Sequence, residues 1–216
     1  MAGNFCQPYM DNLDAILFAG NARSAVSLCS MSPFAKLLET AQPADLGSSS
    51  RPDVSSEDEL NGRLVKEFRN TKLPAVNQQL IRALILLWHD HLDVAHTLAQ
   101  NVDTTDGAYV HAIMHRREPD YGNAAYWFRR VGRHAVFPEL ARRVSELLKL
   151  KRNDPLQDRL VPKAEWDPFA FVEICKQAAS GSVPTGDQTL LREIQRVEFE
   201  VLLDYLVRTL SSVPIL

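Results

Sequence analysis

Apolar residues recur along this chain at three- and four-residue spacing between short polar breaks, and this pattern predicts helices from end to end. Residues 9–19 read as a short helix stopped at Gly20, and Ala22–Thr40 as a second that Pro33 should break or kink. Residues 42–56, QPADLGSSSRPDVSS, offer almost nothing to bury and read as a mobile loop. Ser56 with Glu59 then fits a capping box, and Leu60, Leu64, Val65 and Phe68 follow at helical spacing. Further helices are predicted over Val76–His89, Leu92–Val102, Ala108–Arg117, Asn123–Val131, Pro138–Leu150, Pro168–Ala178 and Asp187–Leu210. Their breaks fall at Thr104–Gly107, Glu118-Pro119-Asp120, Gly132, Lys151–Pro155 and Ser180–Gly186. In the last helix Leu190, Ile194, Val197, Val201, Leu202, Tyr205 and Leu206 form one stripe. No segment alternates apolar and polar residues between turn signals, so the expected class is all-α. The expected organisation is a helical arm at 1–41, the loop at 42–56 and an all-α body at 57–216.

A weak repeat runs through the centre of the body. Moved forward by 29 residues, Ala83 meets Ala112, Leu92 meets Tyr121, Ala95 meets Ala124 and Ala99 meets Phe128. Each copy reads as helix, tight polar turn, helix, and short connections make antiparallel neighbours. With Tyr121 three residues before Ala124 and Phe128 next in the packing row, residues 78–132 resemble tetratricopeptide-like helical hairpins. That resemblance implies a TPR-like, α-solenoid-like single domain and assigns no ligand residues. The run HAIMHRREPDYGNAAYWFRRVG, preceded by LLWHDHLDVAH, also resembles a family of uncharacterised proteins from bacteria and some fungi. It implies a recurring unit and no activity.

Composition narrows the partners. Hydrophobic residues at 45% and charged residues at 24%, with a formal net charge of -3, suit an ordinary globular chain. They argue against a general nucleic-acid binder, which needs a basic surface. Cys6, Cys29 and Cys175 are scattered and odd in number, which suits a reducing compartment better than a disulfide framework. No basic stretch leads into an apolar core at the N-terminus, and no apolar run approaches the ~18 residues of a membrane span. The expected location is the cytoplasm, with no membrane partner.

Chemistry concentrates between Leu84 and Val131, where five of the six histidines lie. His111, His115 and Glu118 stand at i, i+4 and i+7 on one helix face, and His89, Asp93 and His96 share a face at the same spacing if their helix is unbroken. Two such faces meeting across a helix pair would suit a divalent metal, the one cofactor the pattern brings to mind. The plainer reading is that these histidines cap helix ends. Arg116, Arg117, Arg129, Arg130 and Arg133 surround Tyr121, Tyr126, Trp127 and Phe128, and guanidinium forks bind carboxylates or phosphates at two points. The first functional expectation is therefore a ligand-binding protein. Its cleft uses His89, His91, His111, Arg116, Arg117, Tyr121 and Arg130 to hold a small anion or an acidic peptide end. The alternatives are a hydrolase, metal-dependent or acid/base, using His115 with Glu118 or Asp120, and a protein–protein interaction scaffold.

Overall fold

The computed structural model describes residues 32–209, and every regular element among them is helical. Helices α1 (Glu57–Arg69), α2 (Ala75–Trp88), α3 (Leu92–Ala99), α4 (Thr105–Arg117) and α5 (Tyr121–Val131) come first. Helices α6 (Phe137–Lys151), α7 (Asp154–Leu160), α8 (Pro168–Ala179) and α9 (Thr185–Arg208) follow. The helix expected at 9–19 and most of Ala22–Thr40 lie outside the described residues. Within 32–40 the chain forms only a 3-10 turn at Ala35–Leu38, just after Pro33.

Caps explain where several helices start. Ser56 accepts the Glu59 amide at 3.3 Å to open α1, as its spacing predicts. Thr104 accepts the Gly107 amide at 3.0 Å, so α4 begins at Thr105, three residues before the expected Ala108. Gly107 is required there, because a Cβ on it would lie 2.2 Å from the Val102 carbonyl oxygen. Asn153 accepts the Leu156 amide at 3.1 Å and Pro155 fills the first turn, which makes a helix, α7, out of residues read partly as a break.

Helix α2 is the centre of the core. Its run from Leu80 to Trp88 is buried on every side except at Arg82, and it packs against α1, α3, α4 and α9. A helix apolar all round belongs inside. The packing then forms a circuit: α2 on α3, α3 on α4, α4 on α5, α5 on α8, α8 on α7, α7 on α6, α6 on α9, and α9 back on α2. That closure is something a solenoid of neighbouring units lacks.

The 29-residue correspondence is visible in the backbone. Trp88 ends α2 and Arg117 ends α4; Leu92 opens α3 and Tyr121 opens α5. His91 bonds back to the Leu86 carbonyl at 3.0 Å, and Asp120 to the His115 carbonyl at 3.0 Å. The two residues that precede the second helices, His91 and Asp120, adopt nearly the same conformation (φ -86, ψ 64 and φ -93, ψ 72). Ala95 and Ala124 are both fully buried in these units.

Residues 42–56 are irregular, as expected, but they do not lack buried groups. Ala44 and Leu46 enter the core. Gln195 donates to the carbonyls of Ala44 and Asp45, Arg117 to those of Asp45 and Gly47, and Arg192 to the Asp45 carboxylate. The composition of the segment hides this because its partners are distant side chains bonding to its backbone.

Arg51 completes the attachment. Its Nε lies 2.9 Å from the Asp90 carboxylate, which also receives Arg117 at 2.7 Å and is 1% exposed. Burial alone would raise the Asp90 carboxyl, but hydrogen bonds and charge from Arg51 and Arg117 outweigh it and hold the group below its ordinary value of 3.8. Its stabilising contribution is therefore present above that pH and lost as pH falls further. Asp90→Asn should strand two buried guanidiniums and cost about 3–5 kcal/mol in urea denaturation. Glu139→Gln, at an exposed pair with Arg142, should cost no more than about 1 kcal/mol. At the buried helix contact, Ala124→Leu should cost on the order of 1–3 kcal/mol by overpacking.

Candidate metal-binding site

The seam between α3 and α4 brings three imidazoles together. His111 and His115 lie one turn apart on α4, with rings stacked at 4.7 Å and 17°. His96, from α3, sits 4.9 Å from the His111 ring and 5.2 Å from the His115 ring. One ligand nitrogen from each can be chosen so that all lie within 4.8 Å of one another. Glu118, which follows α4, adds a carboxylate: Oε2 is 3.2 Å from His115 Nδ1 and Oε1 is 4.0 Å from His96 Nδ1. His111 and His115 are buried, whereas the His96 side chain is 35% exposed, so the cluster reaches solvent along one edge.

The cluster has unmet bonding capacity. Neither nitrogen of His111 has a hydrogen-bond partner, and His115 Nδ1, though close to Glu118, has no hydrogen bond of acceptable direction. A buried polar atom left unpaired costs about 1–3 kcal/mol. Burial, with repulsion from the other two imidazoles, pushes His111 down to about 4. Burial also lowers His115, although Glu118 and Asp120 pull the other way. Both rings are thus neutral near pH 7, the form in which imidazole donates a lone pair to a metal.

On the other side of His111 lies Trp127, stacked at 4.1 Å and 28°, and Arg130 covers that indole at 5.2 Å while pairing with Asp103 at 3.2 Å. Phe128 is core, packed on Tyr109 at 5.5 Å.

The other residues singled out in the sequence lie elsewhere. His89 Nε2 meets the Leu37 carbonyl at 2.8 Å and its Nδ1 accepts the Ser55 amide at 3.2 Å. His91 Nε2 lies 2.9 Å from the Ser55 carbonyl. Both histidines therefore bind the segment before α1. Arg116 is fully buried against Glu198, which also accepts the Tyr109 hydroxyl at 3.2 Å. Arg117 is equally buried on Asp90. These arginines face inward because their acids come from α9 and from the α2–α3 turn. Asp120 is exposed and caps α5 through Asn123, at 3.1 Å to its amide. Tyr121 donates to the Cys175 carbonyl at 3.4 Å and borders a cavity of about 300 Å³. Burial pushes the Cys175 thiol up to about 12, which leaves it unreactive near neutrality.

Spacing along α4 puts His111, His115 and Glu118 on one face, and the fold brings that face against His96 of α3. The third imidazole does not follow from spacing along one helix. His96 shares helical spacing with His89 and Asp93, but α2 ends at Trp88, so the two histidines part company at the turn.

No family model, curated protein or solved structure matches this chain. Among the described residues, no helix is long and apolar enough to cross a membrane.

The unfolded chain protonates His111 near 6.5 and the folded chain only near 4. Between those values the unfolded state binds the extra proton, so stability should fall as pH falls through this window. Urea denaturation in a chelating buffer should show that slope, and His111→Leu should flatten it.

Proposed function

We propose that this protein binds a divalent transition-metal ion through His96, His111 and His115, with Glu118 as the carboxylate beside them. One observation carries the reading: three imidazoles converge from two helices with ligand atoms within 4.8 Å of one another, and two of them, His111 and His115, have buried nitrogens with no hydrogen-bond partner. Ligands about 2.1 Å from a zinc ion stand roughly 3.4 Å apart in a tetrahedron, so modest rotation of the rings completes the set. Imidazoles suit zinc, copper, nickel or iron, whereas magnesium and calcium call for oxygen ligands. A cleft for an anion built on Arg116 and Arg117 has less support, because both guanidiniums are engaged inside the fold.

A second reading, a metal-dependent hydrolase, draws on the open edge at His96 and on the carboxylate next to it. A bound metal would supply an activated water, and Glu118 is the group that would take its proton. Asp120 is less suited to that role, because its carboxylate is already capping α5.

The test is a zinc titration of the full chain against a chromophoric chelator, with copper(II) added separately while Trp127 fluorescence is followed. We expect one equivalent of zinc and quenching by copper that Trp127→Phe removes. His111→Ala/His115→Ala should weaken binding by about 100-fold or more. His96→Ala, at a partly exposed position, should weaken it with the fold intact. Absence of stoichiometric zinc, or zinc binding indifferent to His96→Ala, would overturn the reading.

A further inference from the structure

A different part of the molecule has the form of a small-molecule site. The N-terminal turns of α6 and α8, with the chain at 132–134 and 162–167, enclose a cavity of about 620 Å³. That volume falls in the range of roughly 300–1,000 Å³ common to ligand pockets. Its apolar wall is formed by Phe137, Pro138, Pro162, Trp166, Pro168 and Phe169. Phe169 is left 43% exposed, and the Trp166 indole, 5% exposed, has an N–H with no acceptor.

The wall is also strained. Lys163 and Ala164, side by side, both adopt left-handed conformations, with φ 54 and φ 62. A side chain in that region costs on the order of 1–3 kcal/mol, and such strain concentrates where a binding surface is being shaped.

The cavity also carries groups that can hold an anion. Helices α6 and α8 both begin on its lining; Asp167 caps α8, whereas Val136 provides α6 with no side-chain cap. Arg133 and Lys163 are exposed on the lining, and neither has an ion-pair partner among the described residues. Of the two acids there, Asp167 makes its cap by accepting the amides of Phe169 and Ala170 through one oxygen at 2.9 and 3.0 Å, and Glu165 is exposed on the same lining as the two cations. His134 is occupied on both nitrogens, by Asp106 at 2.9 Å and by the Val136 amide at 3.2 Å, so it serves as wall.

We propose that this cavity binds a small amphipathic carboxylate. Its apolar body packs on Phe137, Trp166 and Phe169, and its charge lies at Arg133 and Lys163. This site is separate from the histidine cluster and does not depend on metal binding there.

The probe is octanoate, titrated calorimetrically into the full chain, with octanol as the uncharged analogue. One equivalent of octanoate should bind more tightly than octanol. Arg133→Glu/Lys163→Glu, both at exposed positions, should weaken octanoate by about ten-fold or more and leave octanol unchanged. Phe169→Glu should weaken both, with circular dichroism confirming an unchanged fold in each variant. No saturable octanoate binding would overturn the proposal. So would octanoate binding that is indifferent to the charge reversals.

Discussion

A carboxylate removed from water and held between two guanidiniums organises the chain around it. Asp90 occupies the α2–α3 turn in a left-handed conformation (φ 67), which a short polar side chain tolerates better than most. From there it receives Arg51 from the segment before α1 and Arg117 from the end of α4. Desolvating three charged groups is expensive, and the attraction repays it only when the hydrogen bonds are nearly complete. They are: Arg117 also donates to the carbonyls of Asp45, Leu87 and Gly47, and Arg51 to that of Trp88. The irregular segment, the helical turn and α4 are thus locked in one arrangement.

Arg116, the neighbour of Arg117, is turned to the opposite side and paired with Glu198 of α9. Two consecutive arginines therefore anchor the end of α4 in two directions. Phe171 covers the Arg116 guanidinium at 4.3 Å, and Gln195 accepts from its Nη2 at 3.4 Å, while its Nε has no hydrogen-bond partner. This rigid end of α4 carries His115 and leads into Glu118, so the same ion pairs that hold the fold also aim the histidine cluster. A ligand set needs that kind of support, since geometry has to be held by the surroundings of the ligands as much as by the ligands themselves.

The histidine cluster differs in kind from the ion pairs beneath it. Every charged group in the Asp90 and Glu198 networks contacts one of opposite sign, whereas His111 and His115 face each other with nitrogens unmatched. Folding keeps His111 and His115 neutral by burial and by repulsion from neighbouring imidazoles, a state suited to donating lone pairs and poorly suited to packing. The stack of Trp127 on His111 shields one side and leaves the edge at His96 and Glu118 accessible.

Much of the architecture is a local property, and the sequence by itself determined it. Apolar spacing marked eight of the nine helices among the described residues, Ser56 announced the cap of α1, and the 29-residue correspondence located two turns of matching geometry. The shared face of His111, His115 and Glu118 was equally legible, because helical periodicity acts within a few residues. Tertiary structure alone decided the rest. It selected His96 rather than His89 as the third imidazole, turned Arg116 and Arg117 inward, and drew Glu198 into an apolar helix face while Val197 stayed only half-buried. It also tied down residues 42–56, whose composition suggested nothing to bury. In each case the deciding partner lies between 15 and about 150 positions away, as from His96 to His111 or from Asp45 to Gln195. Pairings at that range depend on how helices pack, and no spacing rule within one helix records them.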